Sequence, residues 1–158
     1  MDNYLLLKMI HIISSVVLTG TGAGIAFFML MAYRSSNIEA LIVVSRLVVK
    51  ADWIFTAPAV ITQFITGILL MNLLNYSFTS IWFYWVISLF ILVGICWLPV
   101  VAIQYRLRKF AIESAKIGEA HPQLKKLMTI WTSLGIIAFT LIIVIFWLMI
   151  FKPFSIFS

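Results

Sequence analysis

Acidic residues are scarce: the chain has five Asp and Glu in 158 residues. Charged residues of both signs make up only 10%, while 64% of the chain is hydrophobic. A water-soluble domain carries roughly a quarter charged residues, so that class is excluded. The single cysteine, Cys96, stands in an apolar run, which excludes an internal disulfide and a CxxC metal site. Only two histidines occur, His11 and His121. No repeat and no low-complexity tract breaks the chain.

What is present in abundance is long apolar runs. Crossing roughly 30 Å of hydrocarbon takes about 20 mostly apolar residues. Four stretches meet that length: Leu5 to Tyr33, Trp53 to Leu74, Ile81 to Ile103 and Leu127 to Phe151. Lipid offers backbone groups no partner outside the segment, so each span is read as a helix. The fold class expected is all-α: one transmembrane domain over residues 1–158, with four helices in an up-down bundle. The short connection "NYSFTS" joins spans two and three as an antiparallel hairpin.

Basic residues set the direction. The links hold Arg34, Arg46 and Lys50, then Arg106, Arg108, Lys109, Lys116, Lys125 and Lys126. Only Lys8 and Lys152 fall on the other side. Both links are therefore expected in the cytoplasm and both termini in the periplasm. Trp82, Trp85, Tyr84, Tyr76 and Trp147 then lie near the outer ends, as an interfacial belt does. The net charge of +6 follows from this topology and suits anionic lipid headgroups. The expected partner is the lipid bilayer, with no nucleic acid. In "IEALIVVSRLVVK", Glu39, Arg46 and Lys50 share one helical face. It reads as a surface helix or an inner extension of span two. After span three, "QYRLRKFAIESAK" continues helical to about Lys116, and Gly118 and Pro122 turn the chain. These are the cytoplasmic helical extensions of the bundle.

Polar residues within the spans carry the functional question. His11, Ser15, Leu18, Gly22 and Met29 share a face of span one, with Lys8, Ala26 and Tyr33 at its edge. His11 lies roughly 9 Å into the span by the 1.5 Å rise. Ionisable groups at that depth face the bundle interior and mark sites. Three readings fit: a neutral imidazole hydrogen-bonded in the bundle, an axial ligand to haem iron, and a proton carrier. Lys8, one turn outside, either snorkels to headgroups or pairs with an anionic group such as a porphyrin propionate. Gly20, Gly22 and Gly24 permit close approach of another helix or of a flat ligand.

Span two carries the stripe Asp52, Thr56, Gln63, Thr66 and Gly67, which marks its inward face. Asp52 sits at the inner edge, where a solvated or capping carboxylate is expected. Gln63, near mid-membrane, needs a partner across a helix interface. Pro58 and Pro99 are expected to kink their helices. His121 lies across the membrane from His11, so one protomer offers no bis-histidine site. Met71 and Met149 match the depth of His11 and are the candidate second ligands to a metal. A five-coordinate iron, or two His11 residues meeting across a homodimer, are the other arrangements.

"LLLKMIHIISSVVLTGTGAGIAFF", "ADWIFTAPAVITQFITG", "CWLPVVAIQYRLR" and "FWLMIFKP" resemble a bacterial family of integral membrane proteins, the domain of unknown function 2269. The resemblance covers nearly the whole chain and implies a four-helix architecture in a bacterial inner membrane, without an established activity. "LKMIHI" separately resembles the first helix of bacterial haem-containing protoporphyrinogen oxidases and copper-resistance membrane proteins, which share its Lys-x-x-His pattern. That likeness implies a haem-binding role for His11, and less directly for Lys8. Val16 and Val17 stand where those oxidases carry a tryptophan, and spans three and four hold no internal lysine to match their catalytic one.

The leading expectation is a b-type-haem-binding integral membrane protein. His11 holds the iron, Lys8, Ser15 and Gly22 border the ring, and Met71 or Met149 gives a second ligand. Its tasks are electron transfer with a redox partner in the membrane, or tetrapyrrole oxidation. The alternative is a non-enzymatic interaction or dimeric accessory protein, in which His11 is only hydrogen-bonded.

Overall fold

The computed structural model describes residues 2–152. Met1 and residues 153–158 of the expected single domain lie outside them. The chain runs α1 (Asp2–Arg34), α2 (Ile38–Ala51), a π-helical turn (Asp52–Thr56), α3 (Ala57–Leu73), α4 (Ile81–Ile117) and α5 (Gln123–Phe151). No strand occurs among the described residues. α2, the π turn and α3 form one continuous 36-residue rod, so four helices are long and apolar enough to cross a membrane. The structure thus chooses the second expectation for "IEALIVVSRLVVK": it extends span two.

Local chemistry marks the boundaries. Asn37 caps α2, its side chain accepting from Ala40 N at 3.0 Å. Ser80 caps α4 by accepting from Phe83 N at 3.3 Å, which satisfies a helix-start donor. Gly118 ends α4 in the left-handed region, φ 75°, where a side chain would be strained. At the π turn, Ala57 N–H reaches back five residues to Asp52 O. Pro58, which has no N–H to give Ile54, follows immediately. The sequence-based expectation of a disturbance at Pro58 thus appears as a wider turn just before it. Around Pro99, α4 stays helical from Ile81 to Ile117.

α1 packs along α3, α4 along α5, and α2 against both α1 and α4. The apolar core sits at the end rich in Lys and Arg, called here the basic end. Met29 of α1, Leu41 and Val48 of α2, Leu107 and Ala111 of α4 and Met128 of α5 meet there. The link between α4 and α5 is pinned against this core. Ser114 Oγ donates to Phe110 O at 2.7 Å and accepts from His121 N at 2.9 Å, and His121 stacks on Phe110 with centroids 4.2 Å apart.

Toward the other end, where α1 begins and α5 finishes, the helices border a cavity of about 1030 Å³. Its roof is a polar and aromatic cluster. Trp82 Nε1 donates to Leu148 O at 2.8 Å. Lys152 Nζ donates to Tyr76 OH at 2.6 Å and lies 4.3 Å from the Tyr76 ring centroid.

Leu107 is fully buried in the basic-end core, beyond the predicted end of span three. Leu107→Ala is expected to cost about 2–5 kcal/mol, whereas Ile143→Ala, at an exposed position of α5 off the cavity, stays within about 0.5 kcal/mol. Reversible unfolding in detergent micelles measures both, and equal effects would place the core elsewhere.

Candidate functional site

The site starts from one imidazole on α1. His11 Nδ1 lies 2.8 Å from Thr66 Oγ1 of α3. Thr66 Oγ1 spends its own proton on Thr62 O at 2.6 Å, so it accepts from His11, and Nδ1 carries the ring proton. Nε2 is then an acceptor, and Gln63 Nε2 donates to it at 2.9 Å. Gln63 Oε1 in turn accepts from Ser14 Oγ at 2.5 Å. Ser14 Oγ also lies 2.9 Å from His11 O. Every polar side-chain atom of His11 and Gln63 thus has a partner, and one neutral tautomer satisfies the set.

Two backbone features allow the contact. Ser14, three residues after His11, stands on the same face of α1, and Gln63 and Thr66 stand at the same spacing on α3. A Cβ placed on Gly67 would meet His11 Cε1 at 3.5 Å, ordinary contact distance, so the ring lies close against the α3 backbone there. The sequence-predicted stripe on span two is therefore the surface that receives α1.

The residues singled out for a cofactor border one long cavity, with Gly22 roughly 16 Å along α1 from His11. Lys8, His11, Ser15, Gly22, Met71 and Met149 all border the cavity. Lys8 also lies 5.6 Å from the Tyr4 ring centroid. Nothing comes within 4 Å of a Cβ built on Gly22, so that stretch of wall is recessed. Ser15 Oγ turns back to Ile12 O at 2.7 Å and takes no part in the His11 network. Thr19 Oγ1 likewise donates to Ser15 O. His121 is remote, at the basic end, 3.9 Å from Glu113. Among the described residues no three His, Cys, Asp or Glu side chains gather in a group that holds a metal.

Sequence reasoning passed over Ser14 and left Gln63 and Thr66 unconnected to His11. Depth was the signal that joins them. His11 is nine positions after Asp2, where α1 starts, and Gln63 is ten before Leu73, where α3 ends. In antiparallel neighbours those positions are level.

Fold and site together define a four-span helical membrane protein with a hydrogen-bonded histidine on the wall of an intramembrane cavity. Residues 5–153 match the family described as predicted integral membrane protein, domain of unknown function 2269, and the chain belongs to that family. No curated protein and no solved structure matches it.

Removing one member of the network leaves buried groups unpaired. Gln63→Leu is expected to cost about 1–3 kcal/mol, seen as a lower Tm in detergent. It should also move the His11 ring ¹⁵N resonances, while Ser15→Ala should move neither. An unshifted His11 in Gln63→Leu would mean the bonds are not made.

Proposed function

We propose that the cavity holds a large, flat, mostly apolar ligand, and that this ligand is haem b with His11 as its axial base. The observation that carries the reading is that Lys8, His11, Ser15, Met71 and Met149, with Gly22 further along α1, all border one cavity of about 1030 Å³. The donor set suits iron. A ligating imidazole binds through one nitrogen while the other N–H is held by an acceptor that fixes the ring. Thr66 Oγ1 is such an acceptor for Nδ1–H, and Nε2 has the lone pair. Gln63 covers that lone pair, so ligation exchanges one bond for another. Met71 or Met149 would supply a second ligand to the iron, and Lys8 would pair with a propionate. Haem held there would supply one-electron chemistry in a dry setting, for electron transfer with a membrane redox partner or for tetrapyrrole oxidation. The residues of the chain bind it, orient the imidazole and exclude water.

The second reading is a cofactor-free interaction protein or homodimer. The specific observation in its favour is that both His11 nitrogens are already bonded to α3. A visible spectrum of protein purified from haem-replete cells separates the two. Haem binding gives a Soret band that is lost in His11→Ala and strengthened in Gln63→Leu, where the competing amide is gone. Colourless wild-type protein overturns it.

The same reading places the chain in a bacterial inner membrane with both termini periplasmic. The support is the charge bias: nine Lys and Arg lie at the basic end, against Lys8 and Lys152 at the other. In intact cells, a membrane-impermeant maleimide is expected to label Asn75→Cys and spare Glu119→Cys. The reverse pattern inverts the orientation.

A further inference from the structure

The cavity has a second polar station, well away from His11. Asp52, expected from the sequence to be solvated or capping, is only 3% exposed, and Thr56, one turn on, is equally enclosed. Gln104 of α4 is fully buried and Trp131 of α5 nearly so. All four border the cavity toward its basic end. From Gln63 to Asp52 is roughly 16 Å along the helix at 1.5 Å per residue, so this floor is separate from the His11 network.

Its hydrogen bonding is incomplete. Asp52 Oδ1 accepts from Trp97 Nε1 at 3.2 Å. Asp52 Oδ2, Thr56 Oγ1, both amide atoms of Gln104 and Trp131 Nε1 are shielded from solvent and have no partner. Buried polar groups in native proteins are paired, and exceptions call for an explanation. Two of these residues belong to the π turn, and single π turns within α-helices recur at functional sites.

The unpaired atoms define what would satisfy them. With Asp52 as the carboxylate, Asp52 Oδ2 and Gln104 Oε1 accept only; Gln104 Nε2 and Trp131 Nε1 donate only; Thr56 Oγ1 does either. A wholly apolar molecule leaves all of them unmet. A bare cation faces the hydrogens of Gln104 and Trp131, and an anion faces the Asp52 carboxylate. A neutral group with both a hydroxyl donor and an oxygen acceptor meets both kinds. Beyond the floor the cavity wall, with Phe90, Val93, Phe139 and Ile142, is apolar and suits a hydrocarbon body.

We propose that Asp52, Thr56, Gln104 and Trp131 form a binding site for the head of a neutral, lipophilic molecule carrying a hydroxyl donor and an oxygen acceptor, the chemistry of a quinol-type lipid. The hydroxyl donates to Asp52 Oδ2, and the second oxygen accepts from Gln104 Nε2 or Trp131 Nε1. The apolar body lies along the cavity toward α1 and α5. The site does not depend on iron at His11.

The test uses the full chain in lipid nanodiscs, titrated with decylubiquinol under argon and, separately, with decylubiquinone. Binding is read as probe retained over protein-free nanodiscs, with tryptophan quenching as a second signal. Decylubiquinol is expected to bind saturably and about tenfold tighter than decylubiquinone, whose two carbonyls give Asp52 no proton. Asp52→Asn replaces an acceptor by a donor and should abolish or reverse that preference. Gln104→Leu should weaken quinol binding about tenfold. Ile143→Ala, at an exposed position of α5 off the cavity, should bind as the wild type does, and quinol binding is read without reference to the Soret band, which keeps the two outcomes apart. Monoolein carries the same head chemistry on a glyceride: competition at equal concentration names a glyceride as the source, and its failure to compete names the hydroxyaryl. Thermal unfolding confirms that each variant is folded. The proposal is overturned by an absence of saturable quinol binding, or by equal binding of quinol and quinone that Asp52→Asn leaves unchanged.

Discussion

Hydrocarbon gives a polar group nothing to bond with, and most of this structure follows from that. The backbone answers by becoming helix throughout its spans. The side chains have to answer individually. His11 and Ser14 on α1, and Gln63 and Thr66 on α3, would each be costly if left alone among lipid tails. Facing one another they satisfy nearly every polar atom they carry. Lipid also removes the ordinary hydrophobic drive between helices, since a neighbouring helix is no more apolar than an acyl chain. The alignment of α1 on α3 therefore leans on these bonds. A slip of one turn, about 5.4 Å, would break all of them together, so the network specifies register as well as contact.

Water returns at the basic end, and a different force takes over. There α2 presents Leu41 and Val48 to Met29, Leu107 and Met128, and the core closes with little space left. Helices α1, α2, α4 and α5 all contribute residues to that core. This division frees the opposite half. Helices anchored at one end need not fill the space between them at the other, and the cavity lies there. Its roof is closed by directional contacts: an indole N–H on a helix-end carbonyl, and a lysine against a tyrosine. A lysine placed so meets the aromatic side chains Tyr76 and Trp82 at the membrane boundary, where its charge is least costly.

The architecture was legible because each span is a long apolar run, and because length and charge bias are properties of the sequence alone. The continuation of α2 into α3 was only half legible. The pattern of Glu39, Arg46 and Lys50 marks an amphipathic helix, but whether it lies flat or extends a span depends on what it packs against. For the site, the depth of His11 and the inward stripe on span two could both be read, yet their bonding could not. Pairing is a relation between two helices, and helical periodicity describes only one. Asp52 was the clearest misreading. A carboxylate at a predicted span edge is usually solvated, but here α1 packs against the π turn and Trp97 of α4 reaches Asp52, which is buried. Only the third dimension reveals that cover.

The π turn explains why cavity and network coexist. By α-helical counting, Leu41, Ser45, Val48, Gln63 and Thr66 all fall near one face of the rod. An uninterrupted α-helix would turn that whole face to a single neighbour. The rod instead packs by α2 on both α4 and α1, and by α3 on α1. One wide turn at Asp52–Thr56 changes the rotational phase of everything beyond it, as π turns do where helices bend or re-aim. The stripe with Gln63 and Thr66 is thereby directed at His11, and α3 is left with little direct packing against α4. The thinly packed side of α3 opens onto the cavity. Asp52 and Thr56, inside the turn itself, then become part of its floor. Pro58 favours the wide turn because it has no N–H with which to close a regular one. A single imino acid thus helps decide where the helix faces, what it binds, and which space it leaves open.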